Sequence, residues 1–279
     1  FKRVKNKKSA DIEFEIEIDN KNTQWVLGSM NQSKTTGEFI LVVHDITQLR
    51  QLNSMRRDFI SNLSHELRTP VSVIRANSET LLDGALENKK DAKVFAKAIL
   101  HNSERLSLMV SDLIDLSRIE YGDLKLNIVP IDLDSFIEPF ILSMESLTKK
   151  KGINLTYKPA HKTKIKADVQ ALERILTNLI DNAFKYSPEK SFIEISTKQD
   201  DNNVRVMVSD NGIGISEVDK GHIFDRFYRA ASARASHNKG SGLGLAIVKN
   251  LVNSLNGEVG VSSGSPEGST FWFTLPSGK

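Results

Sequence analysis

The feature that most constrains the fold is a pair of adjacent segments, between residues 49 and 122, with long helical periodicity. From Leu52 onward, apolar residues recur every three or four positions until an Asp-Gly pair at 83–84 interrupts them. A second stripe begins near Asp91, repeats with spacings of four and three, and stops before Gly122. Its members are Phe95, Ile99, Asn102, Leu106, Met109, Leu113 and Leu116. Two such helices cannot cover both stripes alone, so we expect a helical hairpin that pairs with a second copy in a four-helix bundle.

The first 48 residues show the alternation that is typical of strands. Residues 11–19 place apolar and acidic side chains in turn, which predicts a strand with one buried face. Two further strands are expected at 24–31 and 38–43, with a turn at Thr36-Gly37. Three antiparallel strands without a covering layer make a poor domain. We therefore expect residues 1–48 to be the end of a larger one.

After Gly122 the pattern mixes short strands with helices, which predicts helices on one face of a mixed sheet. Strands are expected at 124–129, 153–157, 192–197, 204–209, 258–261 and 269–275, and helices at 133–149, 168–185 and 243–255. Residues 230–239 are small and polar without an apolar period, so a mobile loop is expected there.

Composition excludes several classes of protein. A chain of 279 residues is about twice the length of one domain, so two or three compact units are expected. Without cysteine, the chain has no disulfide framework, thiolate zinc site or cysteine nucleophile. A net charge of +3 is too small to indicate a nucleic-acid-binding protein. The sequence has no run of about 18 apolar residues, and we expect no signal peptide and a soluble piece. Five basic residues among the first eight fit a juxtamembrane segment or a solvated terminus equally well.

The first long helix carries a histidine outside its apolar stripe. His65 lies two residues from Leu63 and from Leu67, so helical geometry turns its imidazole away from the seam. Glu66 lies beside it, and Thr69 follows one turn later. A histidine with a carboxylate and a hydroxyl suits a nucleophile with a base and a water-orienting group. An ordinary surface histidine has the same pattern.

Three polar residues share one face of the helix expected at 168–185. Asn178, Asn182 and Lys185 lie at positions i, i+4 and i+7, opposite an apolar face. Oxygen ligands beside a lysine suit Mg²⁺ with phosphate, although a solvated polar face looks the same.

Two glycine-containing segments follow. Asp210 ends the strand at 204–209 and precedes Gly212 and Gly214, so its carboxylate is suited to accept from a base amine, although Asp-Asn-Gly is also ordinary turn chemistry. The segment 240–245, GSGLGL, opens a helix and suits an anion. Its spacing fits neither a dinucleotide-binding fingerprint nor a P-loop.

Taken in order, SHELRTP, NLIDNAFKYSP, DNGIGI, FDRFYR and GSGLGL resemble the H, N, G1, F and G2 boxes of bacterial sensor histidine kinases. The resemblance covers about residues 50–275 and is nearest to transmembrane kinases of the phosphate-sensor and cell-wall-sensor type. FILVVHDITQLR also resembles the end of a PAS sensor domain. The implied fold is a multidomain α+β chain. Its parts are a partial PAS-like domain at 1–48, a dimerisation and phosphotransfer hairpin at 49–122, and an ATP-binding sandwich of the gyrase/Hsp90 type at 123–279.

The resemblance implies a role for each residue of the H box. His65 would accept the γ-phosphoryl group of ATP, Glu66 would act as its base, and Thr69 would orient water when the protein dephosphorylates its partner. That partner would be a response regulator, and an aspartate of the regulator would accept the phosphoryl group. The protein would act as a homodimer, with transfer within or between chains left open.

The resemblance also implies a set of nucleotide contacts. Asn178 and Asn182 would hold Mg²⁺ against the phosphates, with Lys185 as a fixed charge. The other implied contacts are Tyr186 at the adenine, Asp210 at its amino group, Gly212 and Gly214 beside the base, Gly240, Gly242, Leu243 and Gly244 around the phosphates, and Arg226 and Arg229 at the phosphates. Phe224 and Phe227 would anchor a lid at 230–239, and residues 122–130 would be a hinge.

Other classes of function stay open from the sequence. The ATP-binding part alone would also suit a chaperone-like or topoisomerase-like ATPase, and the hairpin alone would suit a scaffold that only dimerises. The resemblance further implies a full-length protein in the cell membrane, with this chain as a cytoplasmic fragment that meets the membrane only through a part outside it.

Overall fold

The computed structural model describes residues 9–19, 22–33, 37–160, 163–200, 202–235, 240–264 and 268–278. They fall into two compact units, residues 1–65 and residues 66–279. The basic stretch at 2–8, Thr36 of the expected turn and the end of the expected loop at 236–239 lie outside the described residues. Among the described helices, none has the length and apolar character needed to cross a membrane.

The first unit is built on three antiparallel strands in chain order, which confirms the expected meander. They are β1 (Ser9–Asp19), β2 (Asn22–Gln32) and β3 (Phe39–Asp45). The face that the alternation in β1 predicts to be buried is instead open in this unit. Its residues Ile12, Phe14 and Ile16 are 39–49% exposed. The prediction of a buried face was therefore wrong for this chain, because no second layer of the unit's described residues covers the strand.

The helix α1 (Thr47–Leu82) begins directly after β3 and is tied to the sheet at its first residue. The Trp25 backbone N–H donates to Thr47 Oγ1 at 2.9 Å, and the Thr47 N–H donates to Asp45 Oδ1 at 2.8 Å. Arg50, one turn later, lies with its guanidinium 4.5 Å from the centre of the Trp25 ring and pairs with Glu13. The start of the helix is thus fixed by both a capping bond and a stacked cation.

The second unit begins with the rest of the predicted hairpin. After α1, a short 3₁₀ turn (Ala85–Glu87) leads into α2 (Lys89–Glu120). Asn88 caps α2, since its side chain accepts from the Lys90 N–H at 3.0 Å. Gly84 and Gly122 adopt positive φ at the two ends, as helix-terminating glycines do.

The remainder of the second unit is a layered α/β domain, as the sequence predicts. In chain order its elements are β4 (Val129–Asp132), α3 (Leu133–Lys151), β5 (Asn154–Lys158), β6 (Lys164–Ala167), α4 (Val169–Tyr186), β7 (Phe192–Asp200), β8 (Asn203–Asp210), α5 (Glu217–Lys220), α6 (Ala231–Ala235), α7 (Gly244–Ser254), β9 (Val259–Ser263) and β10 (Ser269–Pro276). Five strands form one sheet in the order β5-β7-β8-β10-β9, with only the β5–β7 pair parallel within it. The buried face of α4 packs beside α7 and against the sheet, with Leu172, Ile175 and Leu179 fully buried.

Two expectations for this domain were wrong in detail. Residues 124–128 are not a strand: β4 starts at Val129 and pairs with β6, which the sequence analysis missed. The Asn127 N–H donates to Asp168 Oδ2 at 2.8 Å, so a side chain rather than a neighbouring strand satisfies this backbone. The expected loop at 230–239 contains the short helix α6.

Candidate nucleotide and phosphotransfer site

Two adjoining cavities lie in the second unit. The smaller, of about 80 Å³, lies between α4, the loop after β8, β10 and α6, and we call it the base pocket. The larger, of about 270 Å³, lies between α2, α4 and the start of α7, and we call it the phosphate cleft. Asn182, Tyr228 and Leu245 line both cavities, so one elongated molecule would reach from one to the other.

The base pocket combines apolar walls with one buried carboxylate. Asp210 is only 7% exposed, and its Oδ1 accepts from the Gly212 N–H at 2.8 Å. Burial raises the pKa of Asp210, while the N–H groups of Gly212 and Ser269 oppose that rise. The apolar lining includes Tyr186, Ile213, Ile215, Ile223, Leu245 and Phe271. A flat heterocycle with an exocyclic amine fits such a pocket, since the ring packs on the walls and the amine donates to the carboxylate.

Glycine is required at two positions of this pocket. A Cβ on Gly212 would lie 2.7 Å from the Tyr186 carbonyl oxygen and 2.8 Å from Asp210 Oδ1. Gly214 has a φ of +70°, a conformation that other residues rarely adopt. The two glycines therefore let the backbone run close to the base pocket, and their contact with a base stays a prediction.

The phosphate cleft is lined by the predicted polar stripe of α4 and by the start of α7. Asn178, Asn182 and Lys185 come from α4, and Gly240, Gly242 and Gly244 from the loop and helix opposite. Asn178 Nδ2 donates to the Arg174 carbonyl at 2.8 Å, and a Cβ on Gly244 would lie 2.7 Å from Asn178 Oδ1. The amide oxygen is thus directed at the N-terminus of α7, where backbone N–H groups favour an anion.

This donor set fits a metal–phosphate group better than a metal alone. Among the described residues, no group of three or more histidine and acidic side chains is arranged to hold a metal ion. The side-chain oxygens of Asn178 and Asn182 are hard ligands of the kind that Mg²⁺ accepts when phosphates supply the others. The residues present therefore fit Mg²⁺ carried by a nucleotide.

The loop before α7 is shaped by a contact between two residues in positive φ. A Cβ on Gly242, at φ +72°, would lie 2.8 Å from Phe227 Cα. Phe227, at φ +60°, donates its N–H to the Gly242 carbonyl at 2.9 Å. Leu243, the N-cap residue of α7, is fully buried and is not among the described residues that line the two cavities.

The two predicted phosphate-binding arginines have other contacts in this structure. Arg226 pairs with Glu120 at the end of α2, and Arg229 Nη2 donates to the Ala233 carbonyl at 2.9 Å. Neither is among the described residues that line the base pocket or the phosphate cleft. Phe224 packs edge-on, with ring centres 6.5 Å apart, against Phe271, which lines the base pocket. The phosphate roles of both arginines stay predictions.

The phosphate cleft also contains residues of α2 that the sequence analysis missed. Arg105 and Asp112 line it, and Arg174 Nη2 lies 2.5 Å from Asp112 Oδ1 and 3.3 Å from Asp115 Oδ2. Burial raises the pKa of Asp112, and the neighbouring Arg174 opposes that rise. The seven-residue spacing of Arg105 and Asp112 puts them on one helical face, a signal that could have been noticed.

The H-box residues lie on α1. His65 and Thr69 are exposed, as the helical spacing predicts, and Glu66 is half-buried. Glu66 Oε2 lies 3.1 Å from Arg105 Nη2 across the hairpin. None of the three is among the described residues that line the cavities.

Comparisons with known proteins fit this division into a hairpin and a nucleotide site. The family model "His Kinase A (phospho-acceptor) domain" matches residues 55–122, and "Histidine kinase-, DNA gyrase B-, and HSP90-like ATPase" matches residues 167–279. The sensor histidine kinase WalK of Bacillus subtilis is 35% identical over 85% of this chain. The sensor-like histidine kinase SenX3 of Mycobacterium tuberculosis is also 35% identical over 85% of it. The chain carries both domains of a histidine kinase. It spans 39% of WalK and 58% of SenX3.

A solved histidine kinase supports the same fold over nearly the whole chain. The structure of ThkA in complex with the response regulator protein TrrA has a TM-score of 0.66, with 99% of this chain and 81% of that chain covered. The sequence identity is 21%, so this likeness concerns the fold. The base pocket lies within the ATPase-type match, and the phosphate cleft adds Arg105 and Asp112 from the phospho-acceptor match.

Proposed function

We propose that this chain is an ATP-dependent protein-histidine kinase that phosphorylates His65 and then passes the phosphoryl group to an aspartate of a response regulator. The observation that carries the proposal is the pairing of a carboxylate-floored base pocket with an adjoining cleft of amides, lysine and a helix N-terminus. An ATP molecule matches both cavities at once. Family membership supports the histidine as acceptor, and the ThkA complex with a response regulator supports the partner.

The chain's own residues have separate tasks in this proposal. Asp210 accepts from the adenine amine, and Lys185 and the α7 N-terminus bind phosphate oxygens. Bound Mg²⁺, held by Asn178 and Asn182, would supply charge neutralisation on the transferring group. His65 forms a nitrogen–phosphorus bond as the bond to the departing ADP oxygen breaks, and Glu66 takes the imidazole proton. Residues 122–130 serve as the hinge that lets the ATP-binding domain reach the hairpin.

Two single substitutions test whether phosphate acceptance and nucleotide binding depend on different residues. His65→Ala should abolish protein-bound phosphate and leave nucleotide affinity unchanged, because His65 lies outside the matched ATPase-type domain. Asn182→Ala should weaken Mg-ATP binding and thereby remove phosphorylation with His65 intact. Nucleotide binding and incorporation of the γ-phosphate are measured on both variants. Phosphorylation that survives in His65→Ala would refute the proposed acceptor.

The same hairpin is proposed to dephosphorylate the regulator through Thr69. Thr69→Ala should keep autophosphorylation within a few-fold and lose about 10²-fold of dephosphorylation, the size expected of one positioned water contact. Decay of the phosphorylated regulator with ADP present is the measurement, and Glu66→Ala should show the opposite bias. Equal loss of both activities in Thr69→Ala would assign the hydroxyl a structural role instead.

We also propose that the chain forms a homodimer and that it is part of a membrane protein. The α2 stripe is only half-buried at Phe95, Ile99 and Leu106 in the single chain, which leaves apolar surface for a second copy. By resemblance, the kinase part would face the cytoplasm in a full-length membrane protein.

A further inference from the structure

Arg105 connects the two halves of the proposed reaction. Its side chain is 16% exposed, and its Nη2 lies 3.1 Å from Oε2 of Glu66, the proposed base on α1. The same side chain lines the phosphate cleft with Asn178 and Lys185. One guanidinium therefore meets both the carboxylate beside the phospho-acceptor and the cavity suited to a triphosphate.

The other cations that line the cleft have carboxylate partners near the nucleotide domain. Arg174 pairs with Asp112 and Asp115, and Lys185 Nζ lies 3.5 Å from Asp181 Oδ2. Arg105 differs because its partner belongs to the phosphotransfer helix α1. A guanidinium carries five N–H donors in a planar fork, and a single Nη2 accounts for the contact with Glu66.

The position of Arg105 matters because the proposed reaction brings two negatively charged groups close together. The transfer reaction requires the carboxylate of Glu66 and the γ-phosphate to approach the same imidazole, and two anions repel strongly where water is partly excluded. A cation between them removes that repulsion and also fixes the carboxylate rotamer.

We propose that Arg105 is a positioning residue for phosphoryl transfer: it orients the Glu66 carboxylate and neutralises it against the incoming phosphate. This inference rests on the proposed kinase function. Arg105 acts through Glu66, so its effect belongs to the transfer step and not to nucleotide binding, which Asp210 and the α7 N-terminus support.

The test compares autophosphorylation by the full chain with Arg105→Ala, Arg105→Gln and Arg105→Lys. The alanine and glutamine variants should lose roughly 10- to 100-fold in kcat, while the KM for ATP stays within about threefold. The lysine variant should recover part of the rate because it keeps the charge. Arg75→Ala is the matched control: it removes an exposed arginine of the hairpin that pairs with Glu79 at 2.7 Å, and it should behave as the wild type.

A double-mutant cycle with Glu66→Gln identifies the route of the effect. Removal of Arg105 should cost less than about threefold in the Glu66→Gln background, because the carboxylate that Arg105 serves is gone. An equal loss in both backgrounds, a loss confined to KM, or no loss relative to Arg75→Ala would overturn the inference. Circular dichroism melting checks that the Arg105→Gln variant is folded. Absence of phosphohistidine in the wild type would instead reject the proposed function itself.

Discussion

At the scale of single residues, Asp210 is a buried carboxylate among the proposed nucleotide contacts. Its carboxylate lies at the floor of an apolar pocket, and its Oδ1 is held by the Gly212 N–H at 2.8 Å. Burial raises the pKa of this group. The ionised form accepts from the adenine amine, so nucleotide affinity is full well above this pKa and falls as the pH drops through it.

Nucleotide affinity should therefore decline at a higher pH than titration of an exposed aspartate would predict. Binding of a fluorescent ATP analogue is measured from about pH 8 down to about pH 4.5. Asp210→Asn should weaken binding at neutral pH by about tenfold or more and remove the acid-side decline. Protonation of Asp112 should have the opposite effect and strengthen nucleotide binding, because it removes negative charge from the phosphate cleft. An acid-side decline that persists in Asp210→Asn would contradict the role of Asp210.

At the scale of elements, α2 does more than complete the hairpin, because its second half packs against α7 of the ATP-binding domain. Met109 and Leu116 are each only 1% exposed there, in contrast to the half-buried residues nearer the start of α2. Arg174 joins this contact through Asp112 and Asp115. The partly buried ion pair and the apolar residues together hold α2 against α4 and α7.

Arg174→Ala should loosen this docking. Bonds to charged groups contribute about 1.5–3 kcal/mol, and we take the lower end because these side chains are partly exposed, which is about a tenfold change in an opening equilibrium. Amide hydrogen exchange along Met109–Leu116 should become faster by that factor. Lys198→Ala, which removes an exposed pair with Asp200, is the control. Unchanged exchange in Arg174→Ala would show that apolar packing alone holds the contact.

The elements also show what a sequence can and cannot predict here. Long periodic segments such as α2 and α4 were predicted within a few residues, since burial of one face imposes their pattern. The strand expected at 124–129 was wrong because an apolar run resembles a strand whether or not a partner strand lies beside it. Lys164–Ala167 was missed because four residues are too few for alternation to stand out. Local motifs were enough to single out Asn178, Asn182 and Asp210, which line the two cavities. Arg105 was missed because its contacts to Glu66 and the cleft depend on packing between distant segments.

At the scale of the whole molecule, the hairpin should assemble two copies of the chain. Sedimentation at micromolar concentration should show a homodimer, because the first half of the α2 seam, from Phe95 to Leu106, is only half-buried in one chain. Asn102 is the polar member of that seam, and its Nδ2 donates to the Ala98 carbonyl of its own helix at 2.8 Å. Asn102→Leu should raise the melting temperature and loosen the register of pairing. A monomer with an intact hairpin, or a destabilised but singly paired variant, would contradict this.

The central claim is that the nucleotide cavities deliver a phosphoryl group to His65. The most direct measurement is to incubate the full chain with Mg-ATP and locate the incorporated phosphate by peptide mapping, with its stability to acid and base measured alongside. We expect phosphate on the His65 imidazole that is labile in acid and stable in base, as a nitrogen–phosphorus bond is. Release of free phosphate without labelled His65, or phosphate only on a serine, threonine or aspartate, would contradict it and favour an ATPase of another kind.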